Sequence, residues 1–143
     1  MVEWSDSLSL VSQKIFYLHK FSNDDRPVKE TWYYTIHEGR ILLFEVRYVL
    51  DSTEFSEIYY MNRGTLICME RYEVPYLSMY TDQVRYGEAL FFDNDHLRQY
   101  VVCGKGRPIQ SRLTRGDEFL QKFEDRYTEL KKTILFEPRR RER

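Results

Sequence analysis

The stretch Trp32-Tyr33-Tyr34-Thr35-Ile36-His37-Glu38-Gly39-Arg40-Ile41-Leu42 decides the fold class. It is an aromatic run, a short polar turn with a glycine, and an aliphatic return. Aromatic and β-branched residues favour strands, and Gly39 can take the positive φ that a tight reversal needs. The pattern recurs at Ile58-Tyr59-Tyr60-Met61-Asn62-Arg63-Gly64-Thr65-Leu66 and at Leu90-Phe91-Phe92-Asp93-Asn94-Asp95-His96-Leu97. Three copies within 31–103 predict three aromatic-rich β-hairpins in series, an antiparallel meander of about six strands. Gly64 serves the second turn as Gly39 serves the first. Asn62 and Asn94 tolerate the same backbone region, and His96 stands where the third copy would carry a glycine. The return run 41–50 alternates, with Leu42, Phe44, Val46, Tyr48 and Leu50 on one face and Ile41, Leu43, Glu45, Arg47 and Val49 on the other. Such a pattern belongs to a sheet buried on one face and partly wet on the other.

Working outward, both ends read as helices. Leu8, Val11, Ile15 and Leu18 recur at helical spacing behind the cap candidates Ser5, Asp6 and Ser7. An N-terminal helix within 1–22 is expected, stopped by Asn23-Asp24-Asp25-Arg26-Pro27. Phe119, Phe123, Tyr127, Leu130 and Ile134 form the clearer stripe and predict a C-terminal helix over 116–136, with Thr114 and Asp117 as a capping box. Gly104, Gly106 and Pro108 end the last strand, leaving a loop at 104–115, and 137–143 reads as a basic tail. The expectation is one α+β domain over 1–143, with the two helices covering one face of a sheet aromatic enough to curl strongly.

Composition narrows the class. With 143 residues, 42% hydrophobic and 31% charged, the chain is a globular domain rather than a disordered one. No run approaches the length of a membrane-spanning helix. Glu3 and Asp6 precede the first apolar stretch, the reverse of a secretory signal, so a cytoplasmic protein is expected. Cys68 and Cys103 lie in apolar strand-like runs without metal-ligand spacing and read as buried free thiols. His19, His37 and His96 are widely separated, so neither a metal nor a cofactor is expected.

No hydrolase elbow, zinc-protease motif, P-loop or dinucleotide fingerprint occurs, and the reading leans away from an enzyme. If the sheet enclosed a pocket, Glu45, Glu70 and His96 would be its candidates. Both glutamates stand six residues after a turn glycine within an apolar strand, where burial can raise a carboxyl pKa. The plainer reading pairs them with Arg47 and Arg71 on a solvated face.

Charge distribution points to function more directly. Residues 31–104 hold 6 basic and 11 acidic residues, whereas 105–115 hold Lys105, Arg107, Arg112 and Arg115 and no acid. A Tyr-rich acidic sheet beside a basic loop predicts a non-enzymatic module, an adaptor or inhibitor, that binds another protein. Lys105, Arg107, Arg112 and Arg115, with Tyr76 and Tyr80 from the apolar 74–83 loop, are its candidate contacts. A meander also leaves edge strands through which two copies can pair. The alternative is a small-ligand or enzymatic protein with an aromatic cavity under the C-terminal helix. Nucleic-acid binding ranks below both, because the strands are acidic and would repel a phosphate backbone.

Overall fold

The computed structural model describes residues 13–75, 86–104 and 116–134. Seven strands run in it as β1 (Gln13–Phe21), β2 (Pro27–His37), β3 (Arg40–Leu50), β4 (Thr53–Asn62), β5 (Thr65–Pro75), β6 (Tyr86–Asp93) and β7 (His96–Gly104), followed by helix α1 (Gly116–Thr133). Each strand pairs antiparallel with the next, giving one sheet in sequence order. Among the described residues no pairing joins β1 to β7, so the hydrogen-bonded ladder stays open. The α+β meander is present, but with seven strands rather than six, and it begins at residue 13 rather than 31.

The extra strand replaces the latter part of the expected N-terminal helix; residues 1–12 lie outside the described residues. Ile15 and Leu18, one helical step apart in the sequence, fall on opposite faces of β1. Phe16 and Leu18 pack into the core, while Ile15, Tyr17 and Phe21 are exposed. An uninterrupted Ile-Phe-Tyr-Leu run has no clear period, and pairing with β2 from Gln13↔Thr35 to Phe21↔Pro27 settles it as a strand. Asn23 to Pro27, read as a helix stop, forms the reversal between β1 and β2. There Asp25 N–H donates to Ser22 C=O at 2.9 Å, with Asp25 at φ 63°.

Four later turns are two-residue reversals with both residues at positive φ: Glu38-Gly39, Asp51-Ser52, Arg63-Gly64 and Asn94-Asp95. This is the type I′ geometry whose twist matches the flanking strands. Gly39, Gly64 and Asn94 take the conformations their sequence positions suggest, whereas Arg63 rather than Asn62 carries the positive φ of its turn. In the third hairpin the strained residue is Asp95 (φ 66°), and His96 opens β7. Asn-Gly is the preferred pair for this turn, so Asp95→Gly is expected to raise unfolding stability by about 0.5–1 kcal/mol. A denaturation midpoint at or below that of the parent chain would contradict this account of the turn.

The core lies between one face of the sheet and α1. Cross-strand register places Tyr34, Phe44, Tyr59, Met69, Leu90 and Tyr100 in a single row across β2 to β7. Phe119, Phe123 and Leu130 of α1 are buried in the same cluster as Phe44, Tyr59, Met69 and Leu90. The rings stack: Phe44 lies 4.8 Å from Tyr59 and 6.4 Å from Phe123, and Phe123 lies 5.4 Å from Tyr127. Asp117 and Glu118 in the first turn of α1 and Lys131 and Lys132 in the last complement its dipole. Thr114, the other half of the expected capping box, lies outside the described residues.

The opposite face, termed here the outer face, carries a smaller buried cluster of Leu43, Tyr60 and Cys68. Tyr59 and Tyr60 thus divide between the faces, with Tyr59 under the helix. A bulge between Thr35 and Ile36 against β3 shifts the pleat, so Ile41 joins Phe44 and Val46 in the helix-side core. Cys68 is buried in the outer-face cluster, as its apolar strand context suggested. Cys68 pairs with Phe91, and Cys103 pairs with Gly87 on the same strand β6. That places the cysteines two strands and four residues apart, roughly 13 Å along the strands alone, too far for a disulfide between them.

Candidate functional site

Below the aromatic row, the helix side of the sheet becomes ionic. The next row reads Trp32, Val46, Glu57, Arg71 and Glu88, and the strand ends beyond it contribute Glu30, Tyr48, Glu73 and Tyr86. Glu30, Glu57, Glu73 and Glu88 are all buried. A buried carboxylate is costly unless it is paired and hydrogen-bonded. Here Arg126 of α1 supplies the pairing for Glu30 and Glu57, and Arg71 of β5 supplies it for Glu88.

Arg126 holds Glu57 with two bonds, Nε to Oε1 at 2.9 Å and Nη2 to Oε2 at 3.3 Å, and donates Nη1 to Glu30 Oε2 at 3.0 Å. Tyr59 and Tyr48 hydroxyls donate to Glu57 at 2.8 and 3.2 Å, and Lys122 lies 3.5 Å away. Glu30 also accepts from Trp32 Nε1 at 3.0 Å, and Lys20 bridges it to Glu129 with 2.9 Å contacts on each side. The guanidinium of Arg126 sits 5.5 Å from the centre of the Trp32 ring system. A second knot surrounds Glu88, which accepts from Arg71 at 2.9 Å, from Tyr86 at 2.8 Å and from Tyr100.

These environments set the protonation states. Burial opposes the charged form of Glu57, but the Arg126 guanidinium outweighs it and holds the carboxyl below its ordinary value. Glu30 is lowered in the same way: burial works against it, and Lys20 and Arg126 win. Burial, reinforced by the neighbouring Glu57 charge, pushes Tyr48 up to about 12. Both carboxylates are therefore ionised, and Tyr48 is neutral, throughout the physiological range. Next to this layer, a recess lined by Tyr48, Phe55, Glu57, Arg71, Glu73 and Tyr86 narrows to about 10 Å³, room for one water molecule. Elsewhere the space between sheet and helix is filled by Trp32, Phe44, Tyr59 and Phe123.

The sequence-predicted pocket residues do not converge. Glu45 and Glu70 do share an outer-face row, both opposite Ile58 on its two flanking strands, roughly 10 Å apart. Each is engaged: Arg47 Nε donates to Glu45 at 2.5 Å, and the Tyr60 hydroxyl donates to Glu70 at 3.4 Å. Glu45 has its expected arginine, whereas Arg71 turns to the other face and pairs with Glu88. His96 is exposed at the β6–β7 turn opposite Asp93, away from both glutamates. Lys105, Arg107, Arg112, Arg115, Tyr76 and Tyr80 lie outside the described residues. Among the described residues no cluster of histidine, cysteine and carboxylate side chains is arranged to hold a metal. No described helix is long and apolar enough to cross a membrane.

The feature that sequence reasoning missed is the β1 side of the outer face. Strand β1 is an edge of the sheet among the described residues. Its outer face leaves Ile15, Tyr17 and Phe21 at 51%, 52% and 72% exposure, the first three of the four large hydrophobic residues so exposed among those described. Beside them a shallow groove of about 410 Å³ is lined by Lys29, Thr31, Tyr33, Arg47, Val49 and Glu54. Two of its cations lie over aromatic rings: Lys29 Nζ is 4.3 Å from the ring of Tyr17 on the neighbouring β1, and Arg47 is 4.8 Å from Tyr33 within the groove. The signal was the apolar run 15–18, hidden once it was assigned to a helix face. Neither a protein-family model nor a curated protein nor a solved structure matches this chain.

Proposed function

We propose that this chain is a protein-recognition module whose contact surface is edge strand β1 with the groove beside it. The observation that carries this reading is the outward stripe of Ile15, Tyr17 and Phe21 on an edge strand. An edge strand offers unpaired backbone donors and acceptors, and natural sheets normally blunt such an edge or keep it polar. Exposed aromatic rings next to cations are the composition of protein contact sites. An extended segment laid along β1 would continue the ladder through its backbone and bury the stripe with its side chains.

The acidity of the strands plays a different part from the one its sequence position suggested. Glu57, Glu73 and Glu88 are buried on the helix side, with Glu57 and Glu88 paired there, so these residues do not make an acidic contact surface. Aromatic side chains fill most of the space that a ligand cavity would need.

A photocrosslinking amino acid at Phe21, expressed in cells of the protein's own host, tests the reading. The control position is Arg98, exposed on β7. A discrete adduct with a polypeptide from position 21 and none from position 98 is expected. No adduct at 21, or equal adducts at both, would remove β1 as the contact surface.

A further inference from the structure

We propose that the segment taken by β1 is an acidic, extended strand of a different protein rather than a second copy of this chain. The inference rests on the recognition reading above and adds the chemistry of the partner. Residues 13–21 contain Lys14, Lys20 and His19 and no acidic residue. From the neighbouring strand, Lys29 reaches back, its ammonium 4.3 Å from the centre of the Tyr17 ring. The charge of β2 is thereby placed over β1 itself, within one strand spacing of any strand added there. Lys29 makes no ion pair among the described residues, and Lys14 is exposed. Side chains of an added strand alternate between the faces, so every second residue lies on the outer face with Ile15, Tyr17, His19 and Phe21. Along that face, carboxylates at the two central positions would meet Lys29 and His19, and apolar residues at the flanking positions would cover Ile15 and Phe21.

The same charges work against self-pairing. In an antiparallel β1–β1 pair that keeps all nine residues paired, Tyr17 opposes itself and Lys14 opposes Lys20 of the other copy, twice over. Like charges directly opposite each other destabilise a strand pair. A strand carrying glutamate or aspartate on its outer face avoids that juxtaposition, meets Lys29 instead, and gains electrostatic steering during encounter.

Three fluorescent seven-residue peptides, Val-Val-X-Val-X-Val-Val with X glutamate, glutamine or lysine, place X at the two central outer-face positions and valine at the flanking ones, and separate the possibilities by anisotropy titration against the full chain. The glutamate peptide is expected to bind about tenfold or more tightly than the glutamine peptide, a difference of about 1.4 kcal/mol. Its affinity should fall as salt is raised, and both Lys29→Glu and the milder Lys29→Gln should weaken it. Equal binding of the glutamate and glutamine peptides, unaffected at Lys29, would overturn the acidic preference while leaving β1 as a docking edge. A concentration-dependent dimer in native mass spectrometry, abolished by Phe21→Lys, would overturn it in favour of a second copy. Failure of the Phe21 crosslink removes the surface itself, an outcome distinct from either of these.

Discussion

Replacing Arg126 with alanine is expected to destabilise the fold by about 3–5 kcal/mol, the cost typical of stranding a buried charge. Arg126 is the shared partner of Glu30 and Glu57, whose side chains are only 8% and 2% exposed. Lys20 still reaches Glu30, and Lys122 stands 3.5 Å from Glu57, so the carboxylates keep weaker company. Urea or guanidinium denaturation at neutral pH measures the loss, and a change below 1 kcal/mol would mean that α1 is not latched by this residue.

The pH dependence supplies a sharper signature. In the parent chain Glu30 and Glu57 titrate below their ordinary values in the folded state. Their stabilising contribution is therefore complete above the unfolded carboxyl pKa of about 4.3, and it is lost as pH falls through the lower folded values. In Arg126→Ala the leading influences that hold Glu57 down are gone, burial raises its folded pKa, and lowering the pH protonates the stranded carboxyl and relieves the variant. The stability gap between the two proteins should shrink as pH drops toward 4. A gap constant with pH would assign the effect of Arg126 to packing of its stem on Trp32 instead.

The second large effect is expected from Phe123→Ala, about 3–5 kcal/mol, as for an aromatic truncation in a closed core. Phe123 is 2% exposed and lies against Phe44, Tyr59 and Tyr127. Its removal opens a void under the centre of α1 that the stacked rings cannot readily fill. The variant should unfold at lower denaturant concentration with a similar slope, and a loss under 1 kcal/mol would show that the helix does not dock through this ring. Arg126 is one turn away on the same helix, so the double variant is expected to depart from additivity.

How much of this was legible in the sequence follows the range of each signal. The repeated hairpins were readable because a turn and its flanking strands are neighbours in the chain. Gly39 and Gly64 mark their reversals locally, with φ of 76° and 82°. The last helix was readable for the same reason, its stripe recurring at 3.6-residue spacing within 18 residues. Strand β1 is not legible in the sequence because Ile15 and Leu18, and Tyr17 and Phe21, satisfy helical spacing, while the unbroken apolar run from Ile15 to Leu18 fits a strand equally well. Nothing local could reveal that β2 would pair with this stretch. Arg126 did leave a trace: it falls inside the apolar stripe between Phe123 and Leu130, where a cation demands a buried acid. Which acid it meets was not readable, since Glu57 lies 69 residues earlier.

By itself, the sequence determined the antiparallel order, the turn chemistry and the face of the last helix, all of which rest on interactions between residues close in the chain. The tertiary structure alone decided which side of the sheet each residue occupies, because a strand's pleat has a period of two and a single bulge or shift exchanges its faces. It therefore decided that Tyr59 rather than Tyr60 lies beneath α1, and that Glu57 and Glu88 are buried and paired rather than displayed. On the same ground it placed Ile15, Tyr17 and Phe21 outward on an edge strand.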